Sequence, residues 1–140
     1  MASSVIIPIK DVCESTRVLI GVAQNAAKFA HPHISNYHVG CAIRSTLGGI
    51  YEGSNIEFDN FSNTIHAEES ALIKVVESGG LVSEIAVYTI DDPPFFPCGM
   101  CRQSLYEKSE SIKTLVIACN DVNCQVATIG ELLPYGFSLQ

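Results

Sequence analysis

Positive charge is scarce in this chain of 140 residues: 8 Lys and Arg stand against 15 Asp and Glu, for a formal net charge of -7. Such a surface repels phosphate backbones, which argues against a nucleic-acid binder and favours a small neutral substrate. Long apolar runs are missing too, and no stretch approaches the length of a membrane span. Residues 1–10 carry no basic segment leading into such a run, so no secretory signal is expected and the location is expected to be cytoplasmic. Charged residues make up only 16% against 47% apolar, a balance that excludes disorder. With no repeats, low-complexity tracts or linkers, residues 1–140 are expected to form a single domain. A chain of this size buries roughly two-thirds of its unfolded surface.

What is present is a set of six cysteines, at 13, 41, 98, 101, 119 and 124. Without a secretory signal, metal binding is a better use of the close pair Cys98 and Cys101 than a disulfide framework. Cys13 and Cys41 stand among apolar residues and are expected to be small buried hydrophobes. His31-Pro32-His33 is expected to be an exposed loop, since no third ligand lies near it.

Periodicity orders the rest. Asp11 to Glu14 reads as a capping-box variant opening a helix to about Ala30, with Val12, Leu19, Val22, Ala26 and Phe29 at helical spacing. Strands follow at His38 to Ser45 and Ile50 to Ile56, joined by a Gly48-Gly49 turn. A second helix runs from Thr64, as N-cap, to about Glu77. Then come a strand over Glu84 to Ile90, a helix over Cys98 to Lys108, and strands over Thr114 to Cys119 and Cys124 to Ala127. Thr128 to Glu131 is a capping box opening a brief last helix that Pro134 ends. Helices interleaved with five strands imply an α/β fold, a three-layer α-β-α sandwich around a mixed sheet.

The chemistry-bearing residues are His66 and Glu68, followed thirty residues later by Cys98 and Cys101. A catalytic zinc takes three protein ligands and keeps one position open, and His66, Cys98 and Cys101 supply three. Two thiolates and a neutral imidazole cancel the charge of the dication. Helical side chains lean toward the N-terminus, so His66 and Glu68 can both reach a metal beyond the end of their helix. Cys98 and Cys101 open the next helix, and two helix N-termini favour thiolate. Arg102 is expected to donate to the thiolates. Glu68 is left as the acid–base group, while Glu69 complements the helix dipole.

His-x-Glu followed by Pro-Cys-x-x-Cys is the known signature of zinc nucleobase deaminases. With Tyr37 to Ala42, Asn55-Ile56-Glu57, Cys98 to Gln103 and Glu131 to Phe137, the chain resembles the small single-domain cytidine deaminases from about Gln24 onward. The resemblance implies hydrolysis of cytidine and deoxycytidine to uridine and deoxyuridine in pyrimidine salvage, with one zinc per chain. It implies a five-stranded sheet between helices and a homotetramer, with a homodimer as the lesser alternative. It also implies that Asn55 and Glu57 bind the ribose hydroxyls and that the Ala67 backbone holds the base carbonyl. The resemblance further implies that Phe61 and Phe137 reach toward the substrate, Phe137 from a neighbouring subunit. The chain departs from the family pattern in two places. His66 stands where single-domain members commonly have Cys, and the interval from Pro32 to Tyr37 is one residue longer than usual. Tyr37 also adds a hydroxyl that needs a partner if buried.

Two alternatives remain at the level of sequence. One is a deaminase of another cytosine compound, such as blasticidin S. The other is a structural zinc domain built from Cys98, Cys101, Cys119 and Cys124.

Overall fold

The computed structural model describes residues 5–139. Its elements are β1 (Ile7–Pro8), α1 (Glu14–Ala26), β2 (Gly40–Ser45), β3 (Ile50–Ser54), α2 (Ala67–Glu77), β4 (Val82–Tyr88), α3 (Gly99–Lys108), β5 (Leu115–Cys119), β6 (Asn123–Thr128) and α4 (Ile129–Leu132). They form one mixed sheet in the order β1-β6-β5-β4-β2-β3, in which only β4 and β5 are parallel. One face packs on α1 through Leu19, Ile20, Ala23, Ala42, Ala86 and Ile117. The other packs on α2 and α3 through Ile43, Ala71, Val75, Ile85, Leu105 and Val116. The alternation along each strand feeds both layers, so the α-β-α sandwich expected from the sequence is the one formed.

Two features of this topology position the site. β3 and β4 both run antiparallel to β2, so their C-terminal ends leave the sheet on the same side. The segments that follow them lead into α2 and α3, whose N-termini therefore start at a common edge. Close approach then seats α2. A Cβ on Gly53 would lie 2.5 Å from the Ala71 backbone nitrogen and 2.6 Å from the Ala67 carbonyl oxygen, so only glycine lets the first turns of α2 rest on β3.

Several expectations are corrected. The sheet has six strands, not five; the extra one, Ile7–Pro8, pairs with Asn123 and Cys124. A two-residue edge strand containing proline leaves no readable period. α1 begins at Glu14 with Cys13 as its N-cap, and Asp11 lies in a 3-10 turn, where the Ile9 N–H is tied to the Val122 carbonyl. Cys13 is thus exposed, its Sγ donating to Thr16 Oγ1, while Cys41 is buried as expected. Phe29 falls in a 3-10 turn after α1 and is exposed.

α2 begins at Ala67 with His66 as N-cap; Thr64 instead donates its hydroxyl to the Phe61 carbonyl. The reason is a reciprocal pair of backbone hydrogen bonds between Ile56 and Ile65, which holds residue 65 extended and delays the helix. The capping box at Thr128 and Glu131 is formed, with the Glu131 N–H donating to Thr128 Oγ1 and the carboxylate accepting in return.

Candidate metal centre and cleft

The side chains of His66, Cys98 and Cys101 meet where α2 and α3 begin. His66 Nδ1 lies 3.7 Å from Cys98 Sγ and 3.3 Å from Cys101 Sγ, and one ligand atom from each residue falls within 4.8 Å of the others. Zinc bonds of about 2.3 Å to sulfur and about 2.0 Å to nitrogen give a tetrahedral edge of about 3.5 Å, and the two distances bracket that value. The donor set therefore fits zinc. Among the described residues it is the one such group.

Local structure explains the convergence. As N-cap, His66 has extended backbone (φ -75, ψ 151), and the Glu69 carboxylate accepts its N–H at 2.9 Å. That bond fixes the residue at the helix mouth with its ring beside the thiols. Cys98 plays the same cap position for α3, and Cys101 lies one turn in, where it is buried. Burial, then the nearby charges of Glu68 and Cys98, push the Cys101 thiol up in the metal-free chain. Zinc must displace that proton to bind.

Glu68 occupies the first turn of α2 and is 6% exposed. Burial pushes its carboxyl above the ordinary carboxylate range, against the opposing pull of its own backbone N–H, His66 and Cys101. A carboxyl raised in this way takes up and gives back protons more readily near neutral pH. Glu69 is spent on the cap.

Glu68, His66 and Cys98 line a cleft of about 740 Å³. Tyr37, Asn55, Glu57, Phe61 and Ala67, all singled out in the sequence, line the same cleft. Asn55 spends both of its polar atoms on the chain itself: Nδ2 donates to the Tyr37 carbonyl at 2.8 Å and Oδ1 accepts from the Val39 N–H at 2.9 Å. Glu57 accepts from the Ile34 N–H, the Ser35 N–H and the Ser35 hydroxyl. Burial alone would raise its carboxyl, but those bonds outweigh it and hold the group below its ordinary value, ionised at neutral pH.

The cleft also gathers residues that sequence reasoning missed, among them Ser35, Thr89, Phe95 and Phe96. The Pro94-Phe95-Phe96-Pro97 run was the available signal, an aromatic pair locked between prolines just ahead of Cys98.

Two expected site residues lie elsewhere. Arg102 donates Nε to the Pro97 carbonyl at 2.6 Å and Nη1 to the Leu132 carbonyl at 3.0 Å. The expected bonds to thiolates are replaced by a brace behind the Cys98 turn, because the side chain leaves α3 toward α4. Phe137 is 63% exposed and outside the cleft, its carbonyl held by Gln103 Nε2. Cys119 and Cys124 face each other across β5 and β6, buried on the α1 side of the sheet, so they do not join Cys98 and Cys101. His33 pairs with Asp59 instead of with a metal ligand.

A three-layer α/β domain with a His-Cys-Cys donor set and a buried carboxylate in the same helix turn has the layout of a hydrolytic zinc centre. Residues 14–119 match the family described as the cytidine and deoxycytidylate deaminase zinc-binding region, and the chain belongs to that family. It is 32% identical to a cytidine deaminase of Sporosarcina psychrophila over 121 residues, covering 86% of this chain and 89% of that protein. Against a cytidine deaminase of Shewanella frigidimarina it is 32% identical over 123 residues but spans only 39% of that longer protein. The fold is similar to the crystal structure of cytidine deaminase from Burkholderia pseudomallei, with a TM-score of 0.81 and 29% identity over 90% of this chain and all of that one. Among the described residues, no helix is long and apolar enough to cross a membrane.

Proposed function

We propose that this protein hydrolyses cytidine and deoxycytidine to uridine and deoxyuridine plus ammonia, as a zinc-dependent, cytoplasmic enzyme of pyrimidine salvage. The observation that carries the reading is the buried Glu68 beside the His66, Cys98 and Cys101 donor set, on a cleft also lined by Phe61, Phe95 and Phe96. The names of the Sporosarcina and Burkholderia relatives support it. One zinc per chain is held by His66, Cys98 and Cys101, and when bound it supplies a water that ionises near neutral pH.

Glu68 is the proton carrier. It accepts one proton as water adds to C4 and passes it to the ring nitrogen, then takes the second from the new C4 hydroxyl and gives it to the departing amine, so that the C–N bond breaks, the carbonyl forms and ammonia leaves. Ala67 opens α2, and its free first-turn N–H is a donor for the base carbonyl. Tyr37 and Phe61 flank the base. Glu57, which lines the cleft, holds a sugar hydroxyl: Oε1 already takes two N–H groups, whereas Oε2 takes the Ser35 hydroxyl and has capacity for a further donor. Asn55 supports the sugar side by fixing the backbone of Tyr37 and Val39.

Loss of the cytidine absorbance band in the presence of purified protein, abolished by a chelator and restored by zinc, tests the reading. No turnover of either nucleoside by the zinc-loaded protein would overturn it. Equal turnover of free cytosine or blasticidin S would move the assignment to another cytosine compound.

Glu57→Gln keeps the shape but removes the charge and turns one acceptor oxygen into an NH2 donor. Cytidine kcat/KM is expected to fall by about 10- to 100-fold, the range of one charge-assisted hydrogen bond. An unchanged value would remove the sugar contact from the proposal.

The proposed assembly is a homotetramer in which the exposed Phe137 covers a neighbour's cleft. Deleting residues 137–140 is expected to cut activity by about tenfold or more while zinc content stays level, the loss expected of an aromatic lid on substrate. An active monomer in sedimentation at assay concentration would rule this out.

A further inference from the structure

We infer that Asp91 is a positioning residue for the substrate, holding the Tyr37 hydroxyl and so fixing the tyrosine ring as a wall of the cleft. The inference rests on reading that cleft as a nucleoside site.

Tyr37 Oη donates to Asp91 Oδ2. Tyr37 lines both the cleft and a second hollow of about 510 Å³, beside Lys28, His38, Tyr88 and Asp121. A residue that borders two hollows relies on its hydrogen bonds for its position. At the backbone end, Asn55 Nδ2 donates to the Tyr37 carbonyl, and the Tyr37 N–H donates to Ser35 Oγ at 3.0 Å. At the far end the hydroxyl donates to Asp91, with the Thr89 side chain also within hydrogen-bonding reach.

Asp91 stands on a firm base. Its carbonyl accepts from Asn120 Nδ2 at 3.0 Å, and Asn120 is buried with Oδ1 accepting the N–H groups of Val122 and Asn123. The turn between β5 and β6 therefore anchors the residue that anchors Tyr37. Asp91 also belongs to the segment between β4 and Cys98, which gives Thr89, Phe95 and Phe96 to the cleft. One hydrogen bond thereby ties the loop carrying Tyr37 to the loop leading into the metal site. Burial first, and then the Asp91 bond, push the Tyr37 hydroxyl up to about 12, so it remains a donor at any working pH. Asp91 is absent from the lining of the cleft, so its effect passes through Tyr37 and belongs in binding.

The test compares Tyr37→Phe, Asp91→Ala, Asp91→Asn and the double variant Tyr37→Phe with Asp91→Ala, all as zinc-loaded full-length chains. Cytidine kcat and KM are measured together with the calorimetric affinity for uridine, a ligand that undergoes no reaction. Each of Tyr37→Phe and Asp91→Ala is expected to raise both KM and the uridine Kd about tenfold, the effect of losing one hydrogen bond to a charged group, with most of the change in KM. The double variant should be no worse than the weaker single, because both remove the same bond. Asp91→Asn keeps an acceptor and should recover part of the loss. Full additivity, a loss confined to kcat, or a uridine Kd unchanged in Tyr37→Phe would each overturn the inference. Tyr37→Phe is isosteric, and its zinc content and Tm are read alongside to exclude misfolding. A parent chain that neither turns over cytidine nor binds uridine would sink the reading of the site. A parent that does both while the variants match it would sink the role of Asp91 alone.

Discussion

Glu68→Gln is expected to lower cytidine kcat by at least about 10⁴-fold, roughly 5.5 kcal/mol of barrier, while leaving zinc content unchanged. A single general acid–base role is worth about 10² to 10⁴ in rate, and Glu68 is assigned several proton transfers in one cycle. The amide fills the same volume but cannot accept a proton and return it. Stability should move the other way. The buried carboxyl has its pKa raised above the unfolded value, so the folded chain binds its proton more tightly than the unfolded chain does. Its ionised form therefore costs the fold as pH rises above the ordinary carboxylate range, a cost the neutral amide does not carry. The metal-free variant should consequently melt no lower than the metal-free parent at neutral pH. Glu69→Gln, which weakens a cap bond to His66, should cost only about 1 kcal/mol of stability and little rate. A Glu68→Gln protein that keeps a tenth of normal turnover would show that the proton carrier has been misassigned.

Cys98→Ala is expected to abolish zinc retention through dialysis, and activity with it. Changes in the outer shell of a metal site cost about 10–100-fold in affinity, and loss of a thiolate ligand should exceed that range. The double change of Cys119→Ser and Cys124→Ser should keep zinc, because that pair lies on the α1 face of the sheet. Its cost should appear as stability, about 1–3 kcal/mol for each poorly satisfied hydroxyl in an apolar layer. The serine at 119 can reuse the bond that Cys119 Sγ makes to the Val87 carbonyl. Zinc analysis of the two proteins separates the readings: loss in the second as well as the first would restore the four-cysteine site. Because the Cys101 thiol is pushed up in the metal-free chain, loading releases protons, and apparent zinc affinity should rise with pH.

The metal centre was legible because its spacing is its chemistry. His66, Glu68, Cys98 and Cys101 are few, reactive in type and placed at helix starts, and α/β order could be read from periodicity alone. What escaped was set by partners far along the chain. Thr64 has the composition of an N-cap, yet the backbone pairing of Ile56 with Ile65 moves the helix start to Ala67. Arg102 sits beside a ligand in sequence, but two carbonyls, of Pro97 and Leu132, claim its guanidinium. Cys13 lies among apolar residues and still ends up exposed, because it caps α1 from outside the core. Asp91 reads as part of a chain-breaking Asp-Asp-Pro-Pro turn, and only the fold brings it to Tyr37. The unpartnered tyrosine hydroxyl was the one local hint that such a residue had to exist.

The pairing of Ile7 with Cys124 imposes an order on how the chain can be completed. A ribosome adds roughly 5–20 residues per second, so the first strand waits on the order of ten seconds for its partner to be made. In that interval α1 can close over β2 and β4, and the two metal helices can be delivered to their shared edge. β1 is therefore made before the other strands of the sheet yet is the last that can join it. Until it does, the outer backbone groups of Asn123 and Cys124 at the far edge have no strand beside them.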